Sequence, residues 1–210
     1  MAEGVKTPPY RMETERLVIR CYRPEDAPLE KDAVDSSLDH LRPWMPWVQQ
    51  EPQTIEEKVM LLRRFRANFD AGEDFAFGVF TRDESRQIAG CGLHQRNGAG
   101  TFEIGYFVRA DATRQGIASE LTAVLTRAAF EVAGAFRVDV KVDVANAASL
   151  AVPRKLGFSD EVVLRSWLPP FGEQTAARDC ILFTMLASEL ASSGCMAYDY
   201  VAYDATGNRL

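Results

Sequence analysis

Hydrophobic and polar positions along the chain switch between a period of two and a period near three and a half, and the switches mark the elements. The run Glu15-Arg-Leu-Val-Ile-Arg-Cys-Tyr22 alternates as a first strand, and Pro24-Glu-Asp, a proline with acids in a first turn, predicts a helix reaching Leu38. Thr54 with Glu57 three residues on makes a capping box for a second helix, whose Val59, Leu62, Phe65 and Phe69 share one face and which ends at Ala71-Gly72. Phe75 to Phe80 and Gln87 to Leu93 read as strands joined by the polar turn Arg82 to Ser85. Asn97-Gly-Ala-Gly100 then turns the chain into a fourth strand from Thr101 to Val108.

A third helix opens near Gln115 and runs on through Leu125 and Phe130 to Gly134. Val138, Val140, Val142 and Val144 alternate in a strand from Phe136 to Val144, and Asn146-Ala-Ala-Ser149 opens a fourth helix that closes on Lys155-Leu-Gly157-Phe158. Pro153 inside it removes the hydrogen bond to the carbonyl of Ser149 and predicts a bend. Val162 to Trp167 and Asp179 to Leu186 form a last strand pair around Pro169-Pro-Phe-Gly172. Residues 1–13, with Pro8 and Pro9, read as a flexible leader, 14–187 as the domain, and 188–210 as a C-terminal extension. Within the extension Met196 to Tyr203 would add an edge strand, a place for contact between two copies in a homodimer. His40-Leu-Arg-Pro-Trp-Met-Pro-Trp47 fits neither a regular helix nor a central strand, so Trp44, Met45 and Trp47 either cap the core or line a pocket.

Composition narrows the function. The 210 residues suit one domain with a real core, and 47% hydrophobic with 26% charged residues is ordinary for a globular protein. A net charge of -6 argues against nucleic acid as partner and suits a cationic or amine-bearing substrate. Cys21, Cys91, Cys180 and Cys195 are widely spaced and only His40 and His94 could join them, so no metal site is expected and reduced, cytoplasmic thiols are the default. No stretch approaches the roughly 20 apolar residues of a membrane span, and Met1 to Tyr10 lacks a signal-like apolar run.

The candidate chemistry sits between the fourth strand and the third helix. A strand feeding a helix through a turn with Gly116 aims unpaired backbone N–H groups and the positive end of the helix dipole at one point, an anion site that fits a phosphate. The bland alternative is a turn glycine before an amphipathic helix.

Thr113-Arg-Gln-Gly116-Ile-Ala118, followed by the Asn146 turn and the Lys155-Leu-Gly-Phe158 helix end in the same order and spacing, resembles the GNAT superfamily of acyl-CoA-dependent N-acetyltransferases. Arg42-Pro-Trp-Met-Pro-Trp47 is similar to the loop after the first helix of the RimJ/RimL branch, which acetylates ribosomal-protein N-termini. The first position of the glycine motif departs, being Thr113. The resemblance implies an α/β (α+β) GNAT fold, a mixed and mostly antiparallel seven-stranded sheet flanked by four helices, with acetyl-CoA as co-substrate and a primary amine as acceptor: a protein N-terminus, or a small-molecule amine. A CoA-binding regulatory module without turnover is the rival, motivated by Thr113 and Pro153.

In that fold two parallel strands splay and pantetheine lies between them, here against the backbone of Phe107 and Val108. The amides of Arg114, Gln115, Gly116, Ile117, Ala118 and Ser119 would hold the diphosphate, with Arg109 and Arg114 adding charge or merely sitting on the surface. Asn146 would contact pantetheine, a role compatible with capping its helix. Many members carry a tyrosine where Pro153 stands, so Ser149, which matches the branch's Asn-x-x-Ser, is the candidate acid for the leaving thiolate, with a local hydrogen bond as its alternative reading. Glu103 is the first candidate base, acting through water, or else a cross-strand partner for Arg or Lys; His94 is the rival, a free imidazole having a pKa of about 6.5. Trp44, Met45 and Trp47 would face the acceptor.

Overall fold

The computed structural model describes residues 6–210, so the first five residues of the expected leader lie outside the described residues. One sheet of nine strands runs through the molecule in the order β7-β8-β6-β5-β4-β3-β2-β1-β9. Its strands are β1 (Arg11–Glu13), β2 (Leu17–Cys21), β3 (Phe75–Thr81), β4 (Gln87–His94), β5 (Thr101–Val108), β6 (Arg137–Asp143), β7 (Ser159–Leu168), β8 (Arg178–Leu186) and β9 (Val201–Tyr203). All neighbours are antiparallel except β5 and β6.

The expected seven strands are therefore nine. Arg11–Glu13, assigned to a leader, is a strand between β2 and β9, and Val201–Tyr203 supplies the outer edge. Each is only three residues long, and the pairing that holds it comes from segments far away in the chain, which no local pattern announces. Residues 196–197, read as part of that edge, lie instead in a 3-10 turn at Gly194–Ala197.

The helices are α1 (Ala27–Asp35), α2 (Leu38–Leu41), α3 (Ile55–Ala71), α4 (Ile117–Glu131) and α5 (Ala147–Leu156). The expected helix from Pro24 to Leu38 breaks at Ser36 and Ser37, whose hydroxyls donate back to the carbonyls of Asp32 and Ala33 and so compete with the helix itself. One-turn α2 follows, and Pro46–Gln50 is a 3-10 helix. Helix α3 begins in the expected capping box: Glu57 N donates to Thr54 Oγ1 at 3.2 Å, and Thr54 N to the Glu57 carboxylate at 2.7 Å. It ends at Gly72, whose φ of 73° costs a glycine little. Helix α5 continues through Pro153 to Leu156.

Strand alternation sorts the core onto two faces. On one face Phe75, Phe77, Leu93, Phe102 and Ile104 pack with Leu121, Val124, Leu125 and Ala128 of α4 and Leu150 and Leu156 of α5. On the other a smaller cluster joins Tyr22, Ala27, Leu62 and Ala76 beneath Val59 and Phe65. No helix among the described residues is long and apolar enough to cross a membrane.

Candidate active site

Parallel strands β5 and β6 pair at three positions only: Thr101 with Arg137, Phe102 with Val138, and Glu103 with Asp139. Beyond that rung β5 stays laddered to β4 as far as Val108, and β6 to β8 as far as Asp143. The two strands therefore part after Glu103 and leave a gap whose walls are backbone edges with unused hydrogen-bonding groups. Burial along β5 follows: Thr101 to Ile104 are buried, Gly105 to Val108 only half-buried.

At the wide end of the gap α4 begins. Gly116 has φ 79° and Arg114 φ 62°, a left-handed conformation that glycine adopts freely and arginine at a cost. Among the described residues the amides of Arg114, Gln115 and Gly116 donate to no backbone carbonyl, and those of Ile117, Ala118 and Ser119 belong to the first turn, which has no partner within its helix. Six backbone amides without a helical or backbone partner and the positive helix end thus lie together at this turn. Arg16, at the start of β2, reaches the same place: its guanidinium donates to the Gln115 carbonyl at 3.2 Å, pairs with Glu120, and lies beside Gly116.

Polar side chains lie on both faces of the gap. Toward α5, the Tyr106 hydroxyl and Ser149 Oγ are 2.8 Å apart, spanning the gap. Burial pushes the Tyr106 phenol up to about 12, with the Ser149 hydrogen bond working the other way, so both groups are neutral hydroxyls able to donate near pH 7. Asn146 caps α5 by accepting from Ser149 N at 3.1 Å, which holds Ser149 in place.

On the opposite face lie Glu103, Gly105 and Phe107 of β5 with Gly90, Gly92 and His94 of β4. The Glu103 carboxylate is engaged twice, by Arg96 at 2.9 Å and by Lys141 at 2.8 Å. His94 Nδ1 is 2.6 Å from Asp74 Oδ1, and its ring lies over the glycines: a Cβ on Gly92 would come within 2.6 Å of His94 Nε2, and one on Gly105 within 3.4 Å. A Cβ on Gly90 would strike the Phe107 ring at 2.4 Å. Trp47 stacks obliquely on that ring, centroids 5.6 Å apart, while remaining more than a third exposed. The Pro43 carbonyl accepts from Gln174 and Arg178, so the loop bearing Trp44, Met45 and Trp47 is tied to the loop between β7 and β8.

The sequence model of the acetyltransferase (GNAT) domain matches residues 16–159. The chain belongs to the GNAT acetyltransferase family. It is 26% identical over 160 residues to the uncharacterized N-acetyltransferase YoaA of Bacillus subtilis, an alignment covering 75% of this chain and 87% of that one. Its fold is that of RimJ from Mycobacterium smegmatis, solved with CoA-disulfide, at TM-score 0.79 and 23% identity, covering 91% of this chain and 95% of that one. The ribosomal-protein-S5-alanine acetyltransferase of Vibrio fischeri superposes with TM-score 0.75 at 21% identity, over 86% of this chain and 98% of that one.

Within this GNAT acetyltransferase, the sequence-selected residues fall into groups. Phe107, Val108, Asn146 and Ser149 border the gap, and Arg114 to Ser119 form the turn and first helical turn at its mouth. Arg109 is corrected: it is buried, with its guanidinium held by Asp32 and Asp111, so its charge is already used. Glu103 is found in its cross-strand role, at the last rung with both oxygens occupied. Trp47 stands against Phe107, on the face that also carries His94; Trp44 and Met45 are half-buried in the same loop. Tyr106, Asp74 and Arg16 escaped sequence reading. Tyr106 occupies a strand position indistinguishable from a packing aromatic, and the other two reach the site from segments with no motif of their own. Among the described residues no group of three His, Cys, Asp or Glu is arranged to hold a metal ion, and all four cysteines are free.

Proposed function

We propose that this enzyme moves the acetyl group of acetyl-CoA to the α-amine of a protein N-terminus, of the ribosomal-protein type. The parting of β5 and β6 after Glu103 is the observation that carries this reading. Pantetheine amides can replace the missing ladder along Phe107 and Val108, and the diphosphate can sit on the amides of Arg114 to Ser119, with Arg16 and Arg114 lending charge. A backbone N–H at the gap would polarise the thioester carbonyl.

The two faces then divide the proton chemistry. The amine enters over Gly105, where His94 Nε2 takes its proton as the nitrogen–carbonyl bond forms; the carbon–sulfur bond breaks toward the opposite face, where Ser149 Oγ protonates the thiolate and Tyr106 stands behind it. We assign the base to His94, because Glu103 is committed to Arg96 and Lys141. An imidazole is a mild base, and an α-amine with pKa about 7.7–8.0 demands less of one than a lysine at about 10.4. That match favours N-terminal acceptors, as do the RimJ-type neighbours and the acidic balance of the chain. Free cysteines are consistent with work in the reducing cytoplasm.

The test is acceptor-dependent release of free CoA thiol from acetyl-CoA, run against peptides with free N-termini, the same peptides blocked at the N-terminus but carrying lysine, and small amines. Mass analysis should place acetyl on the α-amine. Turnover restricted to small amines would move the acceptor to a small molecule, and acetyl-CoA binding with no thiol release for any amine would leave a binding module.

A further inference from the structure

We infer that Asp74 is a positioning residue that sets the tautomer and direction of His94; the inference rests on His94 being the base. A neutral imidazole carries one N–H, and a carboxylate can only accept. With Asp74 Oδ1 2.6 Å from Nδ1, the hydrogen is on Nδ1, and Nε2 presents its lone pair to the open face above Gly92 and Gly105. The opposite tautomer would set two lone pairs against each other at Nδ1 and offer a donor where an acceptor of protons is required.

The surroundings argue that this contact does more than join two strands. Strands β3 and β4 are already laddered from Phe75 and Leu93 onward, and a second tie, Gln95 Nε2 to the Gly72 carbonyl at 3.0 Å, closes the same end. The ring also requires glycine beneath it at Gly92, since a Cβ there would meet Nε2 at 2.6 Å. Gly105 is the second residue past the last β5–β6 rung, so Nε2 overhangs the first open stretch of the gap. The nearby charged groups on this face are already engaged, Glu103 by Arg96 and Lys141, Asp139 by Arg137 and Asp143 by Arg178, leaving Asp74 as the carboxylate that answers His94. When Nε2 takes the amine proton, the imidazolium is stabilised by Asp74 across Nδ1–H, and the proton then passes to solvent.

The experiment compares Asp74→Asn, Asp74→Glu and His94→Ala with the wild-type enzyme. Side-chain nitrogen-15 spectra recorded near pH about 8.5, where a free imidazole is neutral, report the tautomer; the chain has two histidines, and His40→Gln assigns the signals. Wild type should show hydrogen on Nδ1 of His94, and Asp74→Asn should move it toward Nε2. Asp74→Asn should lower kcat by roughly 10- to 100-fold with the KM for acetyl-CoA within about twofold, and Asp74→Glu should recover part of the loss. Hydrogen on Nε2 in wild type, or an Asp74→Asn enzyme with unchanged tautomer and kcat, overturns the assignment of Asp74. An active His94→Ala enzyme would remove His94 as base yet leave the tautomer measurement standing, so the two ideas fail separately.

Discussion

Tyr106 and Ser149 share a 2.8 Å hydrogen bond between strand β5 and helix α5, across the gap that β5 and β6 leave open. Asn146 holds the Ser149 backbone and Tyr106 holds its side chain, so the serine hydroxyl is fixed in place, and the proposed mechanism uses it as the proton donor to the departing thiolate. Ser149→Ala should lower kcat by roughly 10- to 100-fold, the weak end of acid catalysis because a thiolate is a good leaving group. Tyr106→Phe should cost several-fold less. The dissociation constant for CoA, measured by calorimetry, should change little in either; equal loss of turnover and CoA affinity in Ser149→Ala would remove it from the chemistry.

Gly116 separates conformational from steric demands. A Cβ there would meet nothing closer than Arg16 Nη2 at 3.8 Å, so the penalty for Gly116→Ala is the left-handed φ of 79°, on the order of 1–2 kcal/mol. If the turn relaxes to avoid it, the amides lose their aim. CoA binding should weaken by about tenfold, the equivalent of about 1.4 kcal/mol, whereas pantetheine, which lacks the diphosphate, should bind both proteins alike.

Glu103 offers a test between two roles. Its buried carboxylate neutralises Lys141 and Arg96, and Lys141 is itself mostly buried, with its ammonium 4.9 Å from the Trp167 ring centroid. Removing the acid leaves a cation uncompensated, so Glu103→Ala should lose about 3 kcal/mol of stability in urea unfolding. A Glu103→Gln enzyme that folds with wild-type stability yet loses turnover would return Glu103 to the role of base.

Glu30 predicts how stability responds to pH. The carboxyl is buried against Tyr22 OH at 3.0 Å and Gln87 Nε2, and burial raises its pKa above the usual carboxylate range, with Lys58 opposing. A raised folded-state pKa means the native state holds the proton more tightly than the unfolded chain. That stabilisation is fully present below the unfolded value and is lost as pH rises through the folded one. Glu30→Gln does not titrate, so its stability relative to wild type should improve as pH rises above the ordinary carboxylate value of about 4.3. Urea midpoints at several pH values for both proteins give that difference with the shared titrations cancelled; a difference that stays flat or runs the other way refutes it.

Most of the sheet was legible because alternation over five or more residues is a local property: β2 through β6 and β8 lie within a residue or two of their expected bounds. The capping box of α3 and the glycine turn before α4 were equally local. Strands β1 and β9 were not, since three residues carry no period, and the break after α1 depends on serine hydroxyls choosing helix carbonyls.

Taken alone, the order of residues pointed to the family by resemblance, and through it to the pair of strands that part and to the turn before α4; the strands, the capping box and the glycine turn themselves follow from spacing within a dozen positions. Tertiary structure decided which side chains are free to act. Ion pairing consumed Glu103 and Arg109, while packing brought Asp74 to His94, Arg16 to the start of α4, and Tyr106 to Ser149, partners 20 to 104 residues apart. Charge neutralisation and hydrogen bonding depend on distance in space, and the chain acquires those distances only when the sheet has closed.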